Sequence, residues 1–111
     1  NLDIAVKKLE ESSIGKDIKM MFSLDHLLEV LPLGSDKAVA LKWLSEYTNV
    51  PLSEILSIGD GENDLEMLKE SGYSVAMNNA YEHVKKSADY VTEKTNNEDG
   101  LTEAIENFIE L

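Results

Sequence analysis

No cysteine occurs anywhere in the chain, which excludes disulfides, thiolate zinc sites and cysteine nucleophiles together. Basic residues are scarce: 10 stand against 22 acidic ones, for a formal charge of −12. Charge of that sign argues against binding nucleic acid or an anionic membrane. It suits a protein whose acidic cluster holds a cation. No apolar run approaches bilayer-spanning length, and the N-terminus does not read as a signal peptide. A soluble, cytoplasmic protein is the expectation. A hydrophobic content of 42% excludes disorder, and 111 residues make one small domain with a modest core. The chain opens on Asn1 rather than Met and runs straight into a helical pattern. That fits a processed product, a cloned segment or a piece of something longer.

The chain is organised around residues 55–68. Ile55, Leu56, Ser57 and Ile58 form a short apolar run, followed by the acidic turn Gly59-Asp60-Gly61-Glu62-Asn63-Asp64. Leu65 and Leu68 then open an apolar-periodic helix. Ligands of a parallel α/β sheet bind just outside the carboxyl ends of its strands, and Asp60 is expected at such an end. Gly59 and Gly61 are expected to let the backbone bend, and Asn63 to cap the helix. Asp60 and Asp64 can both turn toward one point, where two hard carboxylates suit Mg2+. The plain alternative is a solvated turn, because Asp, Asn and Gly are common turn and cap residues. Two named motifs are absent. A dinucleotide fingerprint needs glycine where Asp64 stands. An EF-hand loop needs Gly and Glu where Leu65 and Ser71 stand.

The remaining pattern frames this stretch. Leu2, Ala5, Val6 and Leu9 predict an amphipathic helix over residues 2–11. Ile18, Met20 and Phe22 alternate as a half-buried strand, residues 23–26 read as a loop, and residues 27–31 as a second strand. His26 reads as a loop residue, with no second histidine or cysteine nearby to share a metal. Pro32-Leu33-Gly34-Ser35 marks a boundary, with Ser35 as the expected cap of the next helix. On that helix Ala40, Trp43, Leu44 and Tyr47 share a face, and Trp43 and Tyr47 read as core rather than as a cofactor platform. Lys37 sits in its first turn, where the macrodipole disfavours a cation. It is either simply exposed or meets an anion that the same terminus attracts. Beyond residues 55–68, Gly72 is expected to end the third helix. Strands follow at residues 73–77 and 89–92, with a short helix at 80–87 carrying an exposed His83. Residues 93–99 form a polar loop, and Leu101, Ala104, Ile105 and Phe108 give a last amphipathic helix.

From Ser35 onward the order is α-β-α-β-α-β-α, which implies an α/β fold with a parallel sheet and right-handed crossovers. The loops at Asp60, at Asn78-Asn79 and at residues 93–99 then open on one edge. A site is expected there.

Taken together, Lys37, Gly59-Asp60-Gly61-Glu62-Asn63-Asp64, Val75-Ala76-Met77-Asn78-Asn79-Ala80, Ala88-Asp89-Tyr90-Val91-Thr92 and Glu98-Asp99-Gly100 occur in a telling order. The set resembles the C-terminal part of haloacid dehalogenase-like phosphatases of the Cof-type subgroup, which carry an inserted α/β cap. The resemblance implies a partial three-layer Rossmann-like sheet. It identifies residues 1–33 with the end of the cap and residues 34–111 with the second half of the hydrolase core. Such enzymes form an aspartyl-phosphate, with Mg2+ neutralising the transferring phosphoryl group. By resemblance, Lys37 contacts the phosphate and the nucleophile carboxylate, and Asp60 ligates Mg2+. Asp64 supports that metal site from behind, Asn63 contacts the substrate phosphoryl group, and Asn79 lines the pocket. Asn78 stands where relatives usually have glycine.

One departure is larger. The nucleophile motif of the family is Asp-x-Asp, and none occurs in these 111 residues. The chain therefore resembles a partial phosphatase of small phosphorylated metabolites, expected to be inactive alone. The strand that normally carries the nucleophile pairs beside the one ending at Asp60. Its absence leaves an apolar sheet edge open to completion by a missing N-terminal segment or to self-association. The competing readings are a non-catalytic α/β module that binds a divalent cation or a partner protein, and a phosphomutase or dehalogenase on the same scaffold.

Overall fold

In a computed structural model, residues 2–24 and 26–109 are described. The chain opens with α1 (Leu2–Glu10), on which no residue is buried. A single 3-10 turn at Gly15–Asp17 leads into β1 (Ile18–Leu24), which pairs antiparallel with β2 (Leu27–Pro32). Ile18 lies opposite Pro32, Met20 opposite Val30 and Phe22 opposite Leu28, with a register shift between Phe22 and Leu24. The hairpin thus runs further than the alternation of Ile18, Met20 and Phe22 implied. Asp25 of the expected loop lies outside the described residues.

Beyond the hairpin come α2 (Lys37–Thr48), β3 (Leu56–Gly59), α3 (Leu65–Glu70), β4 (Tyr73–Ala76), α4 (Glu82–Lys85), β5 (Tyr90–Val91) and α5 (Gly100–Phe108). The three strands form one parallel sheet in the order β3-β4-β5, as the alternation of helices and strands implies. Ile58 pairs with Val75, and Ala76 with Val91. The fold is α/β. Because the strands are parallel, the turns after all three emerge on the same edge.

β4 is the centre of the sheet. Its Ser74, Val75 and Ala76 are buried, and Leu68, Ala80 and Val84 pack with Ala76. Each large apolar side chain fully withdrawn from water contributes about 1.5–3 kcal/mol. Asp89 fixes the entry to β5, accepting hydrogen bonds from Ser74 N (2.9 Å) and Ser74 Oγ (2.9 Å). β3, in contrast, pairs with β4 alone among the described residues. The molecule is elongated. Its radius of gyration is 15.9 Å, against about 13 Å for a spherical domain of this length. No helix among the described residues is long and apolar enough to cross a membrane.

Three local expectations are corrected. Trp43 and Tyr47 are not core: they are 60% and 73% exposed, and stack on each other with centroids 5.0 Å apart and planes 11° from parallel. α2 instead turns Ala38 and Leu41 toward the body of the protein. At 3.6 residues per turn, Trp43 lies on the other side of the helix from Leu41. The apolar spacing is real, but the face it marks has no cover among the described residues. The helix cap is Asp36, not Ser35. Asp36 has extended backbone angles, and its Oδ1 accepts from Val39 N at 2.9 Å, the bond that an N-cap side chain makes. Finally, Gly72 does not end α3 through a left-handed conformation. A Cβ there would lie 2.2 Å from Ser53 O, so close passage of the two backbone segments is what requires glycine.

Candidate functional site

The turn after β3 is built by one carboxylate. Asp64 Oδ2 accepts from the backbone N–H of Asp60 (3.0 Å) and of Gly61 (3.0 Å). Residues 62–64 form a single 3-10 turn ahead of α3. Asn63 lies inside that turn and does not cap the helix; Asp64, at its third position, reaches back to the free amides. Two hydrogen bonds to ionised Asp64 are stronger than the amide bond that Asn63 would offer, which is why Asp64 takes the role. Gly59 makes this geometry possible. A Cβ on Gly59 would sit 2.5 Å from Asp64 Cβ, so the glycine is needed for space, and its backbone is not left-handed.

The other oxygen of Asp64 receives Lys37. Lys37 is the first residue of α2, and its Nζ donates to Asp64 Oδ1. The Asp64 side chain is 7% exposed and that of Lys37 49%. Lys37 is thus both half exposed and paired, and the anion that it meets is a carboxylate of the same chain. An ammonium has three donors; among the described residues only one is used by a side chain. Asn63 lines the same cleft as Lys37, a cavity of about 540 Å3 that also borders Met21, Leu31, Val39 and Trp43. The Asn63 amide makes no hydrogen bond among the described residues.

Asp60 is joined to the other two loops. Its Oδ2 accepts from Asn79 Nδ2 at 2.8 Å and from Asn96 Nδ2 at 3.3 Å. The backbone N–H of Asn96 donates to Asn79 Oδ1 at 2.8 Å, which fixes the orientation of that amide. The turns after β3, β4 and β5 therefore meet at the Asp60 carboxylate. Asn78 supports the arrangement: its N–H donates to Thr92 Oγ1 (3.0 Å) and its Nδ2 to Glu93 O (2.9 Å). Its φ is not positive, so the turn needs no glycine at this position.

The loop bearing Asn96 is held at both ends. Glu103 of α5 accepts from Glu93 N (2.8 Å), Lys94 N (2.9 Å) and Tyr90 Oη (3.1 Å). The Glu93 amide, with that of Lys94, holds the Glu103 carboxyl below its ordinary range. Glu98 accepts from Thr95 Oγ1 and Thr95 N, and the Thr95 hydroxyl holds it below that range too. On the hairpin side, Lys19 of β1 donates to Asp36 Oδ2 at 2.8 Å. The Lys19 ammonium, ahead of the Val39 amide, depresses the Asp36 carboxyl. This ties β1 to the start of α2, and so to Lys37.

A second cleft, of about 750 Å3, opens between β1 and the site. Met20, Phe22, Leu65, Glu62, Tyr81 and His83 line it. His83 Nε2 contacts Glu62 Oε2, and the Tyr81 and His83 rings stack at 5.9 Å.

Asn96, Lys19 and Glu62 were not singled out in the sequence. For Asn96 the signal was topological: it lies in the polar run after the third parallel strand, on the edge where Asp60 stands. Which residue of the run reaches Asp60 depends on anchors at Glu98 and Glu103 that spacing does not reveal.

Among the described residues no three acidic or histidine side chains converge on one point. A ready-made all-protein cation cage is absent from them. Mg2+ characteristically takes only one or two carboxylates and completes its shell with water and substrate phosphate. Asp60 fits that role as a single donor: Oδ2 is held by two amides, and Oδ1 has no partner among the described residues. Both oxygens of Asp64 are already engaged, which suits a supporting acid rather than a ligand.

Comparison with known proteins identifies the family. Residues 2–105 match the model of the haloacid dehalogenase-like hydrolase family. The 5-amino-6-(5-phospho-D-ribitylamino)uracil phosphatase YcsE of Bacillus subtilis is 39% identical over 107 residues, covering 96% of this chain and 43% of YcsE. A phosphoglycolate phosphatase of Methanobrevibacter smithii is 37% identical over 109 residues, covering 96% of the chain and 46% of that enzyme. The crystal structure of a haloacid dehalogenase-like hydrolase from Bacteroides thetaiotaomicron superposes with a TM-score of 0.82 at 44% identity, over 96% of this chain and 39% of that one. The chain thus spans less than half the length of each of these proteins. By its family match, its identity to named phosphatases and its fold, the chain belongs to the haloacid dehalogenase-like hydrolase family.

Proposed function

We propose that this chain supplies the phosphate- and metal-binding half of a Mg2+-dependent phosphate-monoester hydrolase of small phosphorylated metabolites. The carrying observation is the convergence at one sheet edge: Lys37 on the Asp64 carboxylate, and Asp60 on the amides of Asn79 and Asn96. In this reading residues 1–33 end a cap and residues 34–111 are the second half of the hydrolase core. Relatives that are named phosphatases of a phosphoribityl compound and of phosphoglycolate support a small phosphate monoester as substrate.

The roles follow from the donors left over. Lys37, anchored by one bond to Asp64, directs its remaining N–H groups at phosphoryl oxygens and neutralises their charge. Asn63, on the wall of the same cleft, donates its amide to the same group. Asp64 keeps the Lys37 ammonium in place and holds the turn that presents Asp60. Asp60 Oδ1 would hold the cation, which when bound offsets charge on the transferring phosphoryl group. Asn79 fixes the Asp60 carboxylate. The cleft beside Tyr81 and His83 takes the organic part of the ester. An aspartate nucleophile, and the aspartyl-phosphate it forms, come from outside these 111 residues, which contain no Asp-x-Asp.

The test is hydrolysis of a generic aryl phosphate with Mg2+. The 111-residue chain alone is expected to show no turnover. Robust turnover that survives Asp60→Ala overturns the reading. The missing Asp-x-Asp also favours a second reading, a non-catalytic module that binds a divalent cation or a protein. An upstream Asp-x-Asp-Gly segment in the parent reading frame decides for the enzyme, and a parent frame without one for the module.

A further inference from the structure

The Asp60 carboxylate is reached by two other chain segments, and the more distant in sequence is Asn96, 36 residues away. Asn96 uses two groups at once. Its side-chain Nδ2 donates to Asp60 Oδ2 (3.3 Å), while its backbone N–H donates to Asn79 Oδ1 (2.8 Å). Asn79 Nδ2 returns to the same Asp60 oxygen at 2.8 Å. The result is a closed ring of hydrogen bonds in which one oxygen of Asp60 receives two amide donors and the other receives none from the described residues. A carboxylate on a single rotatable stem, with both oxygens free, samples many orientations. Two donors on one oxygen select a single one. The loop that carries Asn96 is itself pinned, by Glu103 on the amides of Glu93 and Lys94 and by Glu98 on Thr95. Asn96 is therefore placed by folding and needs no ligand to bring it to Asp60.

We infer that Asn96 is a positioning residue: it sets the Asp60 carboxylate and Asn79 as one unit and reserves Asp60 Oδ1 for a cation. This rests on the reading of Asp60 as a metal ligand. Partners that orient a ligating carboxylate typically change metal affinity 10- to 100-fold when removed. Asn96 is exposed, and surface substitutions of this kind leave the fold in place, so its removal leaves the sheet intact.

The test uses the 111-residue chain with 13C-labelled aspartate, observed by NMR, and Mg2+ alone as the probe. In Asn96→Ala the Asp60 carboxyl carbon is expected to move. The thermal midpoint stays within about 2 °C of wild type, the range expected for a surface substitution. The Mg2+ dissociation constant rises about tenfold. Asn96→Ser serves as a second variant with the same expected direction. An Asp60 carboxyl signal unmoved in both variants overturns the inference. So does an unchanged dissociation constant where wild type binds Mg2+. If Mg2+ moves no signal in wild type, the metal reading of Asp60 fails, and the carboxyl signal in the variants still decides whether Asn96 sets that side chain.

Discussion

Lys37 and Asp64, 27 residues apart, meet as an ammonium on a buried carboxylate oxygen whose partner oxygen holds two backbone amides. One side chain thereby connects the start of α2 to the turn after β3. Removing the cation leaves Asp64 ionised, enclosed and short of one partner. Lys37→Met is expected to cost about 1–2 kcal/mol, reduced from the fully buried case because Lys37 is half exposed. Urea denaturation measures it. A variant as stable as the parent would mean that the pair contributes nothing to holding the turn.

Gly59→Ala tests the close approach directly. The added methyl would lie 2.5 Å from Asp64 Cβ, closer than side-chain carbons come. Either the turn shifts or Asp64 leaves its amides, at about 1–3 kcal/mol by the usual range for overpacking. The backbone amide signals of Asp60 and Gly61 should move with it. Their remaining in place, at unchanged stability, refutes the spatial role given to this glycine.

Acid should unfold the chain through identifiable groups. The carboxyls of Asp36, Glu98 and Glu103 are depressed in the folded state, by Lys19, by the Thr95 hydroxyl and by the Glu93 amide respectively. A depressed carboxyl stabilises the fold above its unfolded pKa and loses that stability as pH falls through its folded one. Stability is therefore expected to be level near neutrality and to decline below about pH 4. Lys19→Met should flatten part of that decline, because Asp36 then loses its largest depressing partner. A denaturant midpoint measured from pH 7 to pH 2.5 gives the slope. An identical slope in the two proteins removes Asp36 from the account.

Sedimentation velocity reads the uncovered surfaces. β3 has one strand neighbour among the described residues, and Trp43 and Tyr47 stand stacked in solvent beside Leu44. Contiguous apolar surface of this kind promotes association. The isolated chain is expected to sediment faster as its concentration rises. Trp43→Ser with Tyr47→Ser should weaken that trend at unchanged helix content. A single monomeric species at every concentration tells against both surfaces as association sites.

Much of the fold was legible because its signals are local. The alternation of strands and helices, the apolar runs at Ile58 and Val75 and the acidic turn all sit within short windows. The meeting of the three post-strand loops on one edge followed from the parallel strand order. The failures share one cause. The stripe through Trp43 and Tyr47 has the spacing of a buried face, but spacing cannot say whether anything covers it. Ser35 and Asp36 are both good caps, and only backbone angles choose between them. Asn63 looked like the cap because it precedes the helix, and Asp64 won through a charge that its neighbour lacks. Asn96 reaches Asp60 across 36 residues, a distance over which sequence periodicity carries no information.

The single carboxylate of Asp64 also has a kinetic consequence. Because it joins α2 to the turn by bonds formed on folding, the ammonium and the bend stand ready before any ligand arrives. On the proposed function, an incoming phosphate would meet groups already placed, and its capture would proceed in one phase at a rate set by diffusion and charge.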